Sequence, residues 1–414
     1  MPGLITERNF PTSWTIKRFK YCAQICNGGE YSDIEVEEGG YPVIGSGGEF
    51  ARASKFSYCG ESVLLGRKGT VDKPLFVDGA FWCVDTMFYT KIKDFMYEKY
   101  LYYCALCFPF DYYVTSTALP SMTQRDLGSQ EIAVPPKKDQ KAIADFLDKE
   151  CAQIDSIAAD LEKQIALLQQ YKKSLITEIV TKGLDKSVPM KDSGVEWLGK
   201  IPAHWNFKRL KFMLENSSDS MKVGPFGSAL SGSDFTDEGK WVYNQRVVLD
   251  NNFSENATFV SEEKFQEMRS FAVYPGDILI TTRGTIGKVA IVPEGANEGI
   301  LHPCIIKFRV DKEMIIPELL QLIFNESDFV KDQFTLMSNA TTIEVIYSYS
   351  LKDILLPVIP ADEQEKIYGY LSKKCIAIDG IISEKQKALA TIIQHKKSLI
   401  YEYVTSKKRV KEVR

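Results

Sequence analysis

Two passages set a basic side chain beside glycine and threonine: Arg67-Lys68-Gly69-Thr70, after the apolar run Val63-Leu64-Leu65-Gly66, and Arg283-Gly284-Thr285, after Ile278-Leu279-Ile280-Thr281-Thr282. Glycine lets backbone N–H groups approach a phosphate, lysine adds charge, arginine adds a fork that fits the guanine edge, and threonine donates to phosphate or meets a thymine methyl. That is the chemistry of contact with duplex DNA. A further lysine, Lys73 or Lys288, follows three positions beyond each threonine. Polar loops add to the set: Ser121, Thr123, Gln124 and Arg125 in one place, and Asn339, Thr341 and Thr342 in another. So do the Gly/Ser passages, with Gly45, Ser46 and Gly47 in YPVIGSGG and Lys222, Gly224 and Ser228 around VGPFGSALSG, and the run Asn244-Gln245-Arg246. For any one of these the plain alternative stands, a basic turn left in solvent or a Ser/Thr/Asn loop that satisfies its own backbone.

Catalytic patterns are missing. The sequence has no Walker A loop, no G-x-S-x-G elbow and no H-E-x-x-H helix. The Asn/Asp-Pro-Pro-Tyr/Phe tetrapeptide of an amino-methyltransferase is also absent, because Val134 precedes the pair Pro135-Pro136. Asp33, Glu35 and Glu37 lie in a charged, Gly-flanked loop and read as a solvated face. Nine scattered cysteines suit reduced thiols. The close pairs Cys22/Cys26 and Cys104/Cys107 lie far in sequence from His204, His302 and His395, so no metal site is expected. No catalytic residue is assigned.

What positions the candidate residues is a chain written twice. From Pro136 to Thr181 and from Pro360 to Thr405 the sequence aligns with itself without a gap, at an offset of 224, and twenty of 46 pairs are identical. Gln140/Gln364, Cys151/Cys375, Asp155/Asp379 and the run Lys172–Ile176 against Lys396–Ile400 are among them. Apolar residues recur at spacings of four and three: Leu147, Ile154, Leu161, Ile165, Leu168 and Leu175 in the first copy, and Leu371, Ile378, Ile382, Leu389, Ile392 and Leu399 in the second. This seam predicts two long helices that need a helical partner, most simply each other in a coiled coil. A helix of about 40 residues would be about 60 Å long, which suits a spacer.

The segments between repeat more loosely. Each opens with Pro and Trp before a basic-aromatic stretch, Pro11, Trp14 and Lys17–Lys20 in one and Pro202, Trp205 and Lys208–Lys211 in the other. Runs such as FWCVDTMFYT and SFAVYPGDILITT, broken by Gly and Pro, predict β-rich or α+β globules. The expected fold is α+β with a pseudo-two-fold repeat: globules over 1–136 and 187–360, a helix and Gly-rich linker over 137–186, and a second helix with a basic tail over 361–414. Hydrophobic residues at 44% and charged residues at 26% fit a soluble globular chain, and no apolar window is long enough to span a membrane. A cytoplasmic location is expected. The net charge of −4 limits a basic footprint to local patches.

Over nearly its whole length this pattern resembles the specificity subunits of Type I restriction-modification systems. The resemblance rests on KIPAHWNFKRLKFM, GDIL…RGTIGK, FWCVDTMFY, and above all the PP..DQ and P.DEQ starts of long helices ending YKKSLITEIVTKGL and HKKSLIYEYVT. It implies two target-recognition domains, each reading one half of a split, asymmetric DNA site. The seam residues would pair the helices antiparallel, fix the spacer and dock methyltransferase subunits, two in number on the family pattern. It implies no cofactor in this chain: S-adenosylmethionine would bind in the methyltransferase subunits, and ATP and Mg in a restriction motor-nuclease. A recognition subunit of a related modification system, or a coiled-coil scaffold without DNA function, remain the alternatives. The first globule departs from the second in having Glu61-Ser62 where the second has Gly276-Asp277.

Overall fold

The computed structural model describes residues 10–113, 120–195, 197–226, 229–255, 258–338 and 345–410. The chain forms two compact units, residues 1–163 with 386–414 (unit 1) and residues 164–385 (unit 2). The expected long helices are present as Lys137–Lys182 and Ala361–Val404. Each begins after a proline-terminated strand and contains no internal proline, and the prolines at 135–136 and 360 provide the break that separates strand from helix.

Unit 1 is built on an antiparallel four-stranded sheet, in the order Ala23–Asn27, Met87–Ile92, Ser62–Gly66, Leu75–Val77. A second sheet takes Gly48–Ala53, Tyr41–Gly45, Ala80–Cys83 and Tyr58–Cys59, with Tyr41–Gly45 and Ala80–Cys83 parallel. Unit 2 repeats the plan. Its four-stranded sheet runs Met221–Val223, Ile305–Phe308, Ile278–Thr281, Val289–Ile291, and a five-stranded sheet again contains one parallel pair, Lys240–Tyr243 with Gly299–Leu301. In both units a short ribbon ties the basic opening to the strand before the long helix: Thr15–Arg18 pairs with Glu131–Val134, and Asn206–Arg209 with Leu355–Val358. The fully buried strands SVLLG and ILIT show why periodicity is silent there, since a strand covered on both faces reads as a continuous apolar run.

Both helices contribute to both cores. In unit 1, Leu147 and Cys151 from the start of the first long helix pack with Phe19, Leu65 and Leu101, and the core is closed by Leu399, Ile400 and Val404 from the end of the second. In unit 2, Leu371 and Cys375 pack with Leu210, Ile280 and Leu319, and Ile176, Ile179 and Val180 close the core. The seam is legible in the burial: Ile154, Leu161, Leu168, Leu175, Leu389 and Ile392 are half-buried, while Leu147, Ile165, Leu371, Ile378, Ile382 and Leu399 are buried. Within each unit the helices run antiparallel and share one ion pair. Lys396 reaches Asp155 at 2.6 Å in unit 1, and Lys172 reaches Asp379 at 2.8 Å in unit 2, so the same two positions of the repeat exchange partners. Lys172 also holds Glu326 at 2.7 Å.

The identical glutamines act alike. Gln140 is buried, accepts the Tyr97 N–H at 2.7 Å and donates to the Phe95 and Pro135 carbonyls; Gln364 accepts the Ile316 N–H at 2.9 Å and donates to the Met314 and Ile359 carbonyls. Each amide thereby satisfies three backbone groups where a loop meets the first helical turn. Just beyond the expected linker, at the start of the segment expected as the second globule, the chain folds into a hairpin, Met190–Asp192 with Lys200–Pro202. It carries Trp197 against Phe329 at 5.5 Å, an apolar contact that Gly and charge content alone do not reveal.

At the position where the two globules diverge, the polar interiors differ. Ser62 donates to the Thr90 carbonyl at 2.8 Å and accepts the Thr90 N–H at 3.0 Å, while the Thr90 hydroxyl bonds to the Val63 backbone. In unit 2, Asp277 and Lys307 are both buried and lie 3.2 Å apart; Lys307 also donates to the Ala272 carbonyl, and Arg309 donates to Asp277 at 2.5 Å.

Candidate nucleic-acid interface

Strand Ser62–Gly66 ends at a glycine whose Cβ position lies 2.4 Å from the Thr70 carbonyl oxygen, so the chain can fold back tightly only without a side chain there. The turn that follows, with Gly69 at φ 78°, is stitched to a distant loop. Gly69 N–H donates to the Pro120 carbonyl at 2.9 Å, Met122 N–H donates to the Arg67 carbonyl at 3.0 Å, and Lys68 and Ser121 form an antiparallel bridge. In unit 2 the turn has Gly284 at φ 65°, Ile346 N–H donates to the Thr282 carbonyl at 2.9 Å, and Arg283 bridges Val345. Positions 121 and 122 become 345 and 346 at the repeat offset of 224. The structural counterpart of Arg283 is therefore Lys68, one place along from the arginine that residue type alone selects.

The side chains agree. Lys68, Arg283, Gly284 and Thr285 are exposed and Thr70 is half-buried. Arg67 folds back, donating to the Asp85 carbonyl at 3.2 Å with its guanidinium 5.8 Å from the Phe88 ring centroid. Beside the second turn, Gln245 donates to the Thr285 carbonyl at 3.3 Å, which brings the Asn244-Gln245-Arg246 run to it. Asn244 itself caps the helix Gln245–Asp250, accepting the Arg246 and Val247 N–H groups, and exposed Arg246 lies 3.7 Å from Asp250.

Other candidates are engaged in the scaffold. Thr123 caps the helix Gln124–Ser129 in a reciprocal box with Asp126, and Gln124 donates to Asn27 at 3.0 Å. Thr282 is buried and donates to the Cys304 carbonyl at 2.9 Å. Lys288 donates to the Asn325 carbonyl at 2.7 Å, near the end of the helix Pro317–Glu326, where a cation is favoured by the helix dipole. A Cβ on Gly224 would meet the His302 carbonyl oxygen at 2.2 Å, and Lys222 lies 5.1 Å over the Phe271 ring. Gly45, Ser46 and Gly47 form the end of a hairpin on the second sheet of unit 1, and Gly45 is buried. Ser121, Arg125 and Lys73 are exposed. Ser228, Asn339, Thr341 and Thr342 lie outside the described residues.

Two aromatic features escaped the sequence reading. One position past the matched basic openings, Lys20 lies 5.0 Å over the exposed Tyr21 ring and Lys211 lies 5.3 Å over the exposed Phe212 ring. The signal was available, as an aromatic residue at the same place after each Lys17–Lys20 or Lys208–Lys211 run. Tyr347 and Tyr349, just beyond the bridge to Arg283, have no aromatic counterpart in unit 1 and left no repeat to notice.

Two modules on one plan, each with a cation-bearing glycine turn stitched to a second loop, define a tandem-repeat chain with duplicated presenting surfaces. The family model for the Type I restriction modification DNA specificity domain matches residues 11–167 and 222–390, and the chain belongs to that family. The Type I restriction enzyme MjaVIII specificity subunit of Methanocaldococcus jannaschii is 25% identical over 302 residues, covering 72% of this chain and 66% of that protein. The Type I restriction enzyme EcoBI specificity subunit of Escherichia coli is 23% identical over 337 residues, 76% of this chain and 69% of that one. These matches thus span about two thirds of the relatives' length. A solved chain from work on complex assembly and conformational transition of the type I R-M system shares the fold, with TM-score 0.66 at 14% identity over 96% of this chain and 99% of that one. Among the described residues no helix is long and apolar enough to cross a membrane.

Proposed function

We propose that this chain is the DNA-reading specificity subunit of a Type I restriction-modification enzyme, each unit reading one half of a bipartite, asymmetric target. The observation that carries the reading is the repeated turn: Lys68 and Arg283 stand exposed at the same place in two units, each on a left-handed glycine and each bridged to a second loop. A phosphate or base edge approaching there meets a cation and a threonine on a glycine turn, whose own N–H groups at Arg67, Lys68 and Gly69 are taken up by the Thr86 and Pro120 carbonyls in unit 1. Because the cation is lysine in one unit and arginine in the other, the half-sites differ. Arg283 has the fork for guanine, and Lys68 is a point charge.

The chain itself carries no catalytic group in this reading. Methyltransferase subunits dock on the long helices, bind S-adenosylmethionine and receive the extruded adenine, which a reader must leave room for by holding the duplex on either side. ATP and Mg belong to a separate motor-nuclease subunit, the assembly works in the cytoplasm, and the helices set the length of the unread spacer. The test is sequencing of methylated adenines in a host lacking other modification systems, with this chain expressed beside its methyltransferase. A split, asymmetric motif of which only one half changes when residues 1–136 are exchanged is the expected result. Formation of the complex with no motif would return the chain to the scaffold reading.

A further inference from the structure

The second unit exposes more aromatic surface beside its basic turn than the first. Tyr347 and Tyr349 stack with centroids 5.4 Å apart and planes 8° from parallel, yet they are 54% and 67% exposed, so the pair lies outside the buried core. The rings line a cavity of about 440 Å³ together with Phe334, Met337, Val345 and Asp353. Val345 is the residue that bridges Arg283, which makes the aromatic wall continuous with the basic turn. Two cations stand beside the wall as well: Arg209 and Lys211 each reach Asp353 at 3.2 Å, so the one acidic group among the described lining residues is outweighed.

We propose that Tyr347 and Tyr349 are specificity-determining contacts of the second unit to double-stranded DNA, the rings meeting the apolar edge of a base and the hydroxyls donating to phosphate. This deepens the reading given under Proposed function and rests on it. Exposed tyrosine pairs an apolar body with a polar tip, which suits a wet, charged interface, and an apolar contact to the thymine methyl is one of the few non-polar signals the major groove offers. Continuity with Arg283 and the basic rim selects a polyanion over a protein partner as the occupant. At the repeat offset unit 1 has Thr123 and Arg125, with Thr123 taken up by a helix cap. The two units therefore read with different chemistry at the same place, aromatic in one and cationic in the other.

The experiment uses the assembled methyltransferase complex and labelled duplexes bearing the motif found by methylation sequencing, each with one base pair replaced. Fluorescence anisotropy at one salt concentration gives, for every position, the ratio of affinities for intact and altered duplex. In the Tyr347→Ala/Tyr349→Ala complex the ratio at one or two positions of the second half is expected to fall by about tenfold or more, with the first half unchanged. Ratios that stay the same in both halves, or fall equally in both, overturn the proposal. So does retained discrimination with loss of the methyltransferase by mass measurement, which would give the rings to a protein partner. Should the double variant fail to assemble, Tyr349→Ala alone removes the more exposed ring and is judged by the same ratios. An unmodified complex that discriminates at no position brings down the two-reader function itself, whereas normal discrimination that survives the tyrosine changes brings down only this assignment.

Discussion

Where unit 1 places Ser62 and Thr90, two neutral hydroxyls that satisfy each other and the adjacent backbone, unit 2 places Asp277 and Lys307 as a buried ion pair extended by Arg309. One architecture thus accepts two solutions at the turn into its central strand. The neutral pair desolvates little and is cheap to truncate; the charged pair is costly to bury and costlier to break, because either partner alone is a charge without water. The difference predicts that the two units fail differently.

The largest effect should come from breaking the ion pair. Asp277→Ala leaves Lys307 buried beside a carbonyl and Asp219, and is expected to cost about 3–5 kcal/mol, against about 1–3 kcal/mol for Ser62→Ala. Urea unfolding monitored separately in each unit reads both; equal losses would show that the charged network is no more than a polar filler. Next come the turns. Arg283→Ala should cost about 1–3 kcal/mol of binding and relax preference at one base position, whereas Lys68→Ala should weaken binding evenly across sequences and lower the salt slope by about one. Arg67→Ala, its guanidinium being folded onto Asp85 and Phe88, should do less than Lys68→Ala; the reverse order in a salt titration would move the first contact back to Arg67.

The smallest effect separates the exchanged ion pairs of the long helices. Lys172 is more enclosed than Lys396 and has Glu326 as a second partner, so Lys172→Met should cost about 1 kcal/mol and Lys396→Met about half that or less. Burial works against the Lys172 charge, but hydrogen bonds to Asp379 and Glu326 outweigh it and raise its pKa above the ordinary lysine value. A raised cation contributes fully below its unfolded pKa, about 10.4, and loses that contribution as pH climbs through the folded value. The stability gap between the unmodified chain and Lys172→Met should accordingly hold at neutral pH and narrow only above that value; a gap that closes near pH 7 would assign the effect to packing.

Much of this was legible in the sequence because the repeat reports on both copies at once. The seam from Leu147 to Leu175 and from Leu371 to Leu399 is a local periodicity, and Gln140/Gln364 stood out as identical although their role as backbone clamps did not. What stayed hidden is long-range. Nothing local says that Lys68 lies against Ser121, or that Thr282, Lys288 and Gly224 are consumed by a distant carbonyl, a helix end and a close backbone approach. Matching by residue type paired Arg67 with Arg283, and only the bridges to positions 121 and 345 correct the register. The tyrosines were missed because they occur in one unit, and a reading guided by duplication overlooks what is not duplicated.

The closing of unit 1 by Leu399, Ile400 and Val404 has a consequence for the order in which the molecule is made. Every residue of unit 2 leaves the ribosome before those three. The half that is translated first is therefore the half that finishes last: its sheets wait with an apolar flank uncovered while the later-born half completes its own interior. A ribosome that stalls within the final helix would release a nascent chain sound in its second half and unsealed in its first, and it is there that chaperones and proteases would find their hold.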